Sequence, residues 1–273
     1  MYTLNCKGRL LVIDKPLVMG IINVTPDSFY AGSRQEHITA VLQQAERMLT
    51  DGAALLDIGG QSTRPSSTLL SAEEELQRVL PAIEAVHQQF PAAFISVDTF
   101  YSRVAKEAVA AGACLVNDVS GGSMDEQMVT TVAALQVPYV LMHMKGTPQT
   151  MQQLAVYDNV TTEVLDFFIQ KTDDLRRQGI TDIIIDPGFG FAKTATHNFE
   201  LLRHLEAFSI LPCPLLLGVS RKSFIYKTLR ITPAEALNGT TVIHTAGLLK
   251  GASILRVHDV KEAVEAVKLT AML

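Results

Sequence analysis

The chain has 273 residues, 48% hydrophobic, 19% charged and 6% aromatic, which is enough apolar material for a large core and excludes a disordered or low-complexity protein. Lys plus Arg number 23 against 28 Asp plus Glu, a net charge of −5, and this argues against nucleic acid or an anionic membrane as partner, because phosphate polymers are held by clustered cations. Cys6, Cys114 and Cys213 form no CxxC pair, and neither a basic-then-apolar leader nor an uncharged membrane-length stretch is visible, so reduced core thiols in a soluble cytoplasmic protein are expected.

In chain order, Tyr2–Ile13, with Lys7-Gly8-Arg9 at its middle, reads as an N-terminal β-hairpin within residues 1–15. Eight short apolar runs follow, at Val18–Val24, Ala54–Ile58, Phe94–Val97, Leu115–Val119, Tyr139–Met142, Ile183–Ile185, Leu215–Val219 and Ile254–Val257. Their starts lie about 34 residues apart, the length of one strand-plus-helix unit. Stretches with apolar residues three and four apart separate or follow them: Ile38–Leu49, Ala72–Val86, Val104–Ala111, Met128–Leu135, Val160–Leu175, Phe199–Leu205, Ala234–Leu249 and Val260–Leu269. Near-continuous Val/Ile/Leu strands alternating with helices select an α/β fold with a parallel sheet. Eight units predict a single (β/α)8 TIM-type barrel over residues 1–273, the hairpin plugging its bottom; a doubly wound open sheet is the alternative that periodicity leaves standing.

In such a barrel the chemistry sits at the C-terminal ends of the strands, and here those ends are polar. Asn23, Asp57, Asp98-Thr99, Asn117-Asp118, His143, Asp186, Ser220-Arg221-Lys222-Ser223 and Arg256-Val257-His258 follow the successive runs. Asp, Asn and Ser commonly cap helices, but Lys222, Arg256 and His258 are poor caps. Asp98, Asn117, Asp186 and Lys222 together offer acceptors, a two-way amide and a cation, a set suited to a flat heterocycle with amide and amino edges. Arg256 and His258, two residues apart on one strand face and beside Asn23, read as an anion corner, and the helix opening near Lys222-Ser223 offers N–H groups to a carboxylate or phosphate. The long loops Thr25–Arg34 and Gly60–Ser67 read as substrate-closing loops. His143 reads as a satisfied core histidine. GxGxxG and GxxxxGK[ST] are both absent, which removes support for dinucleotide and P-loop chemistry.

The chain resembles the dihydropteroate synthase family of pterin-binding barrels over essentially its whole length. The motifs are Gly20-Ile21-Ile22-Asn23-Val24-Thr25-Pro26-Asp27-Ser28-Phe29, Asp57-Ile58-Gly59-Gly60-Gln61-Ser62-Thr63-Arg64-Pro65, Ser96-Val97-Asp98-Thr99, Val116-Asn117-Asp118-Val119-Ser120-Gly121, His143-Met144-Lys145-Gly146, Asp186-Pro187-Gly188-Phe189-Gly190-Phe191, Ser220-Arg221-Lys222-Ser223 and Arg256-Val257-His258-Asp259-Val260. The resemblance implies a transferase that joins 6-hydroxymethyl-7,8-dihydropterin diphosphate to p-aminobenzoate, releasing diphosphate and 7,8-dihydropteroate in folate biosynthesis. It implies Asp98, Arg64 and Lys222 as catalytic residues, and Asp98, Asn117, Asp186 and Lys222 as the pterin site. Asn23, Thr63, Arg64, Arg256 and His258 would hold the diphosphate, with Asn23 a ligand of Mg2+. Phe29, Thr63, Arg64, Pro65, Phe191 and Ser223 would line the p-aminobenzoate pocket, in a homodimer packed through barrel helices.

Two departures stand out. The family's first loop usually continues Ser-Phe-Ser-Asp-Gly-Gly where this chain has Ser28-Phe29-Tyr30-Ala31-Gly32-Ser33, and its second often reads Glu-Ser-Thr-Arg-Pro-Gly where this chain has Gln61-Ser62-Thr63-Arg64-Pro65-Ser66. Both bear on loop closure and on sensitivity to p-aminobenzoate mimics. A methyltetrahydrofolate corrinoid methyltransferase shares the barrel and the Asp and Asn residues but needs neither Thr63-Arg64-Pro65 nor an anion corner. A pterin-binding copy without catalysis would not need Asn23, Arg64, Lys222, Arg256 and His258 together.

Overall fold

The computed structural model describes residues 1–24, 34–61 and 69–273. Tyr2–Cys6 (β1) and Arg9–Ile13 (β2) pair antiparallel around Lys7 and Gly8, whose positive φ angles (54° and 83°) match the tight hairpin turns that follow strand twist. The Asn5 side chain accepts from the Gly8 N–H at 2.7 Å and closes the turn.

The eight apolar runs become β3 (Leu17–Asn23), β4 (Leu55–Gly59), β5 (Phe94–Asp98), β6 (Leu115–Asp118), β7 (Tyr139–Met142), β8 (Ile183–Asp186), β9 (Leu216–Leu217) and β10 (Ile254–Val257). All pairings among them are parallel, in the order β8-β7-β6-β5-β4-β3-β10-β9, and a parallel bridge from Ile185 to Leu215 closes the barrel. The predicted run at 215–219 yields only two ladder residues, because Val219 already accepts a turn bond from the Lys222 N–H at 3.1 Å.

Helices α1 (Arg34–Thr50), α2 (Ala72–Gln89), α3 (Ser102–Ala111), α4 (Met128–Leu135), α5 (Val160–Arg177), α6 (Ala195–Arg203), α7 (Ser223–Leu229), α8 (Leu237–Leu249) and α9 (Val260–Thr270) surround the sheet. Ser71 and Glu74 form a reciprocal capping box at the start of α2, and Thr194 caps α6, which begins at Ala195, four residues before the predicted start of its helical period. The stretch expected to be helical from Ala234 begins instead at Leu237, since Thr232 donates backbone and hydroxyl bonds to Glu235 in a separate turn behind Pro233.

Side chains alternate along each strand. Outward residues such as Leu56, Ile58, Ile95, Val97, Leu141, Ile185 and Leu255 are buried under the helices in the main core. The first inward layer is apolar: Met19, Leu55, Leu115, Val140, Ile184, Leu216 and Ile254 pack with Leu4, Cys6, Leu11 and Ile13 of the hairpin, which thus plugs the bottom of the barrel. Burying each such Leu or Ile contributes about 1.5–3 kcal/mol. Lys7 Nζ reaches the Val109 carbonyl at 2.7 Å, and Arg9 the carbonyls of Pro91, Ala92 and Ala93, so the plug is also tied to the rim beneath. The three cysteines are buried and free. Among the described residues no helix is long and apolar enough to cross a membrane.

Candidate active site

Two residues beyond the apolar layer, the same strands turn polar inside: Asp57 on β4, Asn117 on β6, Asp186 on β8 and Arg256 on β10 follow Leu55, Leu115, Ile184 and Ile254. The strand registers place Asn23, Gly59, Asp98 and Asn117 in one row along the mouth. Gly59 lets Asp98 come close, since a Cβ there would stand 3.2 Å from the Asp98 Cβ, a tight contact.

Arg256 crosses the barrel and donates from Nε to Asp57 Oδ2 at 2.6 Å and from Nη2 to Asp98 Oδ2 at 2.5 Å. Asn117 Nδ2 donates to the same Asp57 oxygen at 2.9 Å. Asp57 is fully buried, and Arg256 and Asp98 expose only 20% and 15% of their side chains. Removing one partner from a buried ion pair leaves an uncompensated charge, so these residues form a unit. Burial pushes the Asp98 carboxyl up to about 7; Arg256 pulls it down, and the carboxylates of Asp57, Asp118 and Asp186 add to the rise. For Arg256 the cost of burial is outweighed by Asp57 and Asp98, which hold the guanidinium firmly protonated.

Opposite stand Asp186 and Lys222. Asp186 accepts from the Gly188 N–H at 2.8 Å, and burial raises its pKa against the pull of Lys222. Burial brings Lys222 down to about 8, with Asp186 opposing. Its Nζ donates to the Phe189 carbonyl and lies 4.7 Å from the centre of the Phe191 ring. Lys222 immediately precedes α7, whose first residue is Ser223. It is turned back towards the mouth by Arg221, a non-glycine residue at φ 54° held by a bidentate pair with Asp259 (2.8 and 2.9 Å).

His258, exposed just beyond β10, pairs Nδ1 with Ser220 Oγ at 2.9 Å, so it stays at the rim while Arg256 reaches inward. Asn23 is exposed at the end of β3. Phe29, Thr63, Arg64 and Pro65 lie outside the described residues.

Three contributors escaped the sequence reading. Asp57 was visible as a strand-end acid, but its partner Arg256 is 199 positions away. Lys193, 3% exposed, carries no motif signal; its Nζ meets His143 Nδ1 at 3.0 Å, the His143 carbonyl at 3.4 Å and the Phe191 carbonyl at 3.1 Å. Burial lowers Lys193 to about 7 and, with Lys193 and Lys145 adding, His143 to about 2, so the imidazole is neutral. Lys193 thereby ties the end of β7 to the loop after β8. That loop passes so close that a Cβ on Gly188 would meet the His143 carbonyl oxygen at 2.0 Å. Glu75 of α2 is the third, a buried acid raised to about 8 by burial, with the Thr99 hydroxyl lowering it and Asp98 raising it. Among the described residues no three His, Cys, Asp or Glu side chains stand together as a metal site.

The mouth therefore offers a polar slot with carboxylates, an amide and two cations, fit for a small planar ligand with hydrogen-bonding edges. The sequence profile of the family described as "Pterin binding enzyme" matches residues 19–258. The dihydropteroate synthase of Escherichia coli (strain K12) is 42% identical over 265 residues, which cover 96% of this chain and 93% of that one. The Xanthomonas albilineans dihydropteroate synthase solved with 4-aminobenzoic acid has a TM-score of 0.92 at 42% identity, covering 99% of this chain and 97% of that one. The same organism's enzyme in complex with 7,8-dihydropteroate has a TM-score of 0.89 at 40% identity, covering 99% and 98%. With this polar mouth on a closed barrel, and on these matches, the chain belongs to the dihydropteroate synthase family of pterin-binding enzymes.

Proposed function

We propose that this chain, acting as one barrel domain, condenses 6-hydroxymethyl-7,8-dihydropterin diphosphate with p-aminobenzoate to give 7,8-dihydropteroate and diphosphate. The observation that carries the residue assignment is the convergence of Asp98, Asn117, Asp186 and Lys222 on the one mouth into which Arg256 also reaches. Asp98, Asn117 and Asp186 accept from the donor edges of the pterin, and Lys222 donates to its carbonyl. The bond from the pterin methylene carbon to the diphosphate oxygen breaks, the electron pair leaving with diphosphate. The arylamine nitrogen then bonds to the methylene carbon and loses a proton. Asp98, as carboxylate beside the ring, stabilises the positive charge that develops on the dihydropterin.

Arg256, His258, Asn23, Thr63 and Arg64 bind the diphosphate. Because Arg256 is already shared by Asp57 and Asp98, an incoming diphosphate draws on a guanidinium that two carboxylates orient. Asn23 suits magnesium, since its amide supplies an uncharged hard oxygen exposed at the rim. Held there with the diphosphate, Mg2+ would supply charge neutralisation to the leaving group. Phe29, Thr63, Arg64, Pro65, Phe191 and Ser223 line the p-aminobenzoate pocket, with Ser223 and the N–H groups of the α7 start receiving its carboxylate.

Exposed Val242 and Leu249 of α8 and Leu269 of α9 support a homodimer packed through barrel helices, and the buried free thiols support a reducing, cytoplasmic setting. The test is release of diphosphate with both substrates, with and without magnesium. Release that needs both substrates and rises with magnesium is expected; no release from correctly folded protein refutes the reaction. In the same assay Ser223→Ala should raise KM for p-aminobenzoate about 10- to 150-fold, and Arg256→Ala should raise KM for the pterin diphosphate at least as much. Crossed effects would reassign the two anion sites.

A further inference from the structure

We propose that Asp57 is a positioning residue that fixes the Asn117 amide with its carbonyl towards the ligand, so that this position selects a heterocycle edge that donates a hydrogen bond. The inference deepens the proposed function and rests on Asn117 facing the pterin. Asp57 is fully buried in the second inward layer, and its Oδ2 accepts both Asn117 Nδ2 at 2.9 Å and Arg256 Nε at 2.6 Å. An Asn side chain has one carbonyl and one amino end. With the amino end bonded inward to Asp57, Oδ1 is the atom left for a ligand. Turned the other way, the amide would aim its oxygen at the carboxylate and its N–H groups at the ligand, which both Asp57 and a donor-bearing edge oppose. Asp98 and Asp186 also present carboxylate oxygens, so Asp57 makes the third polar position on this side match the first two. Asp57 acts only through Asn117 and Arg256.

A second feature of this layer shapes the test. Asp57 Oδ1 and Ser96 Oγ, on residues paired in register across β4 and β5, are both buried without a hydrogen-bond partner. In D57N the amide oxygen can take over both bonds now made to Oδ2, while the amide nitrogen occupies the Oδ1 place, which makes no hydrogen bond now. D57N thus keeps the positioning bond and removes the charge, and D57A removes both.

Calorimetry with 6-hydroxymethyl-7,8-dihydropterin, which has no diphosphate for Arg256 to hold, reads the ligand edge directly, and a failure of turnover with p-aminobenzoate counts against the proposed reaction and not against this assignment. D57A should weaken dihydropterin binding about tenfold or more, while D57N stays within about fivefold of wild type. Affinity for p-aminobenzoate, measured with the pterin site saturated, should change less than about threefold in either variant, which a general loss of structure would not allow. Should D57A fail to fold, the exchange of D57N with N117D reverses donor and acceptor while keeping total charge and an acceptor towards the ligand. It should bind at least about fivefold more tightly than N117D alone. Folded D57A that binds the dihydropterin as wild type does, D57A and D57N impaired equally, or an exchange no better than N117D overturns the assignment.

Discussion

The two ends of the barrel interior are built from the same strands two residues apart, yet they obey opposite rules. At the floor, Leu55, Leu115, Ile184 and Ile254 meet a plug of Leu4, Leu11 and Ile13 in an apolar layer, with the Arg9 guanidinium at its edge over the Phe94 ring. One step up, roughly 7 Å along each strand, Asp57, Asn117, Asp186 and Arg256 fill the equivalent positions, with Asp98 on β5 beside them. The floor holds the molecule together by burial, whereas the mouth gathers Asp57, Asp98 and Asp186 against Arg256 and Lys222, an arrangement whose desolvation works against folding. Stability and chemistry are thus separated along single strands.

The sharpest way to break this division is at the floor. Leu11→Ala removes a 5%-exposed side chain from the plug and should cost about 2–5 kcal/mol in urea unfolding, with kcat of the folded enzyme unchanged. A large fall in kcat without loss of stability would mean that the plug serves the mouth directly. The reverse experiment is Asp98→Asn. It should lower kcat about 100-fold, near 2.7 kcal/mol, and leave the melting temperature equal or higher, because a crowded buried carboxyl is neutralised. A kcat within about threefold of wild type would remove Asp98 from the charge-stabilising role.

Acid and base sharpen the contrast further through two buried groups of the mouth, Asp98 and Lys193. Asp98 binds its proton more tightly folded, at about 7, than its ordinary 3.8, so the stability it lends is complete below about pH 4 and is lost as pH rises through 7. Lys193 is depressed from 10.5 to about 7, so its contribution is present above about 10.5 and is lost as pH falls through 7. Ligand-free protein should therefore show a stability minimum near neutral pH. Urea midpoints across pH 4–10 would show it, Asp98→Asn should flatten the acid side and Lys193→Met the basic side. A profile unmoved by either variant rules these groups out as its source. The smallest expected effect is a gain. Ala192 is held at φ 48° between Phe191 and Lys193, so Ala192→Gly should raise stability by about 1 kcal/mol if the mouth carries backbone strain. An unchanged or lower midpoint would mean that the chain already relaxes there.

The floor was legible in the sequence because burial on both strand faces writes an unbroken run of Val, Ile and Leu, and a Lys-Gly turn between two such runs writes a hairpin. Asp98, Asn117, Asp186 and Lys222 were legible because strand ends are where polar residues interrupt those runs. What could not be read is which of them share a proton or a hydrogen bond. Asp57 looked like one more strand-end acid, and only the arrival of Arg256 from the last strand gives it a role. Lys193 belongs to no motif, and only the fold, which closes over it, brings its ammonium to His143 and the Phe191 carbonyl. Arg256 and His258 looked like one anion corner from their two-residue spacing. In the fold the guanidinium bonds to Asp57 and Asp98 on β4 and β5 while the imidazole bonds to Ser220, partners that their spacing in the sequence does not reveal.

The hairpin plug also sets an order of events when the chain is made. Leu4, Leu11 and Ile13 leave the ribosome ahead of the layer on which they sit, which is completed by Leu216 and Ile254 roughly 200 residues or more later. At about 5–20 residues per second the arm waits on the order of 10–40 s with its apolar face uncovered. Insertion of the plug is therefore a late, long-range step. During translation this short amphipathic ribbon, more than any barrel strand, is the segment that a chaperone must keep from pairing with a neighbour.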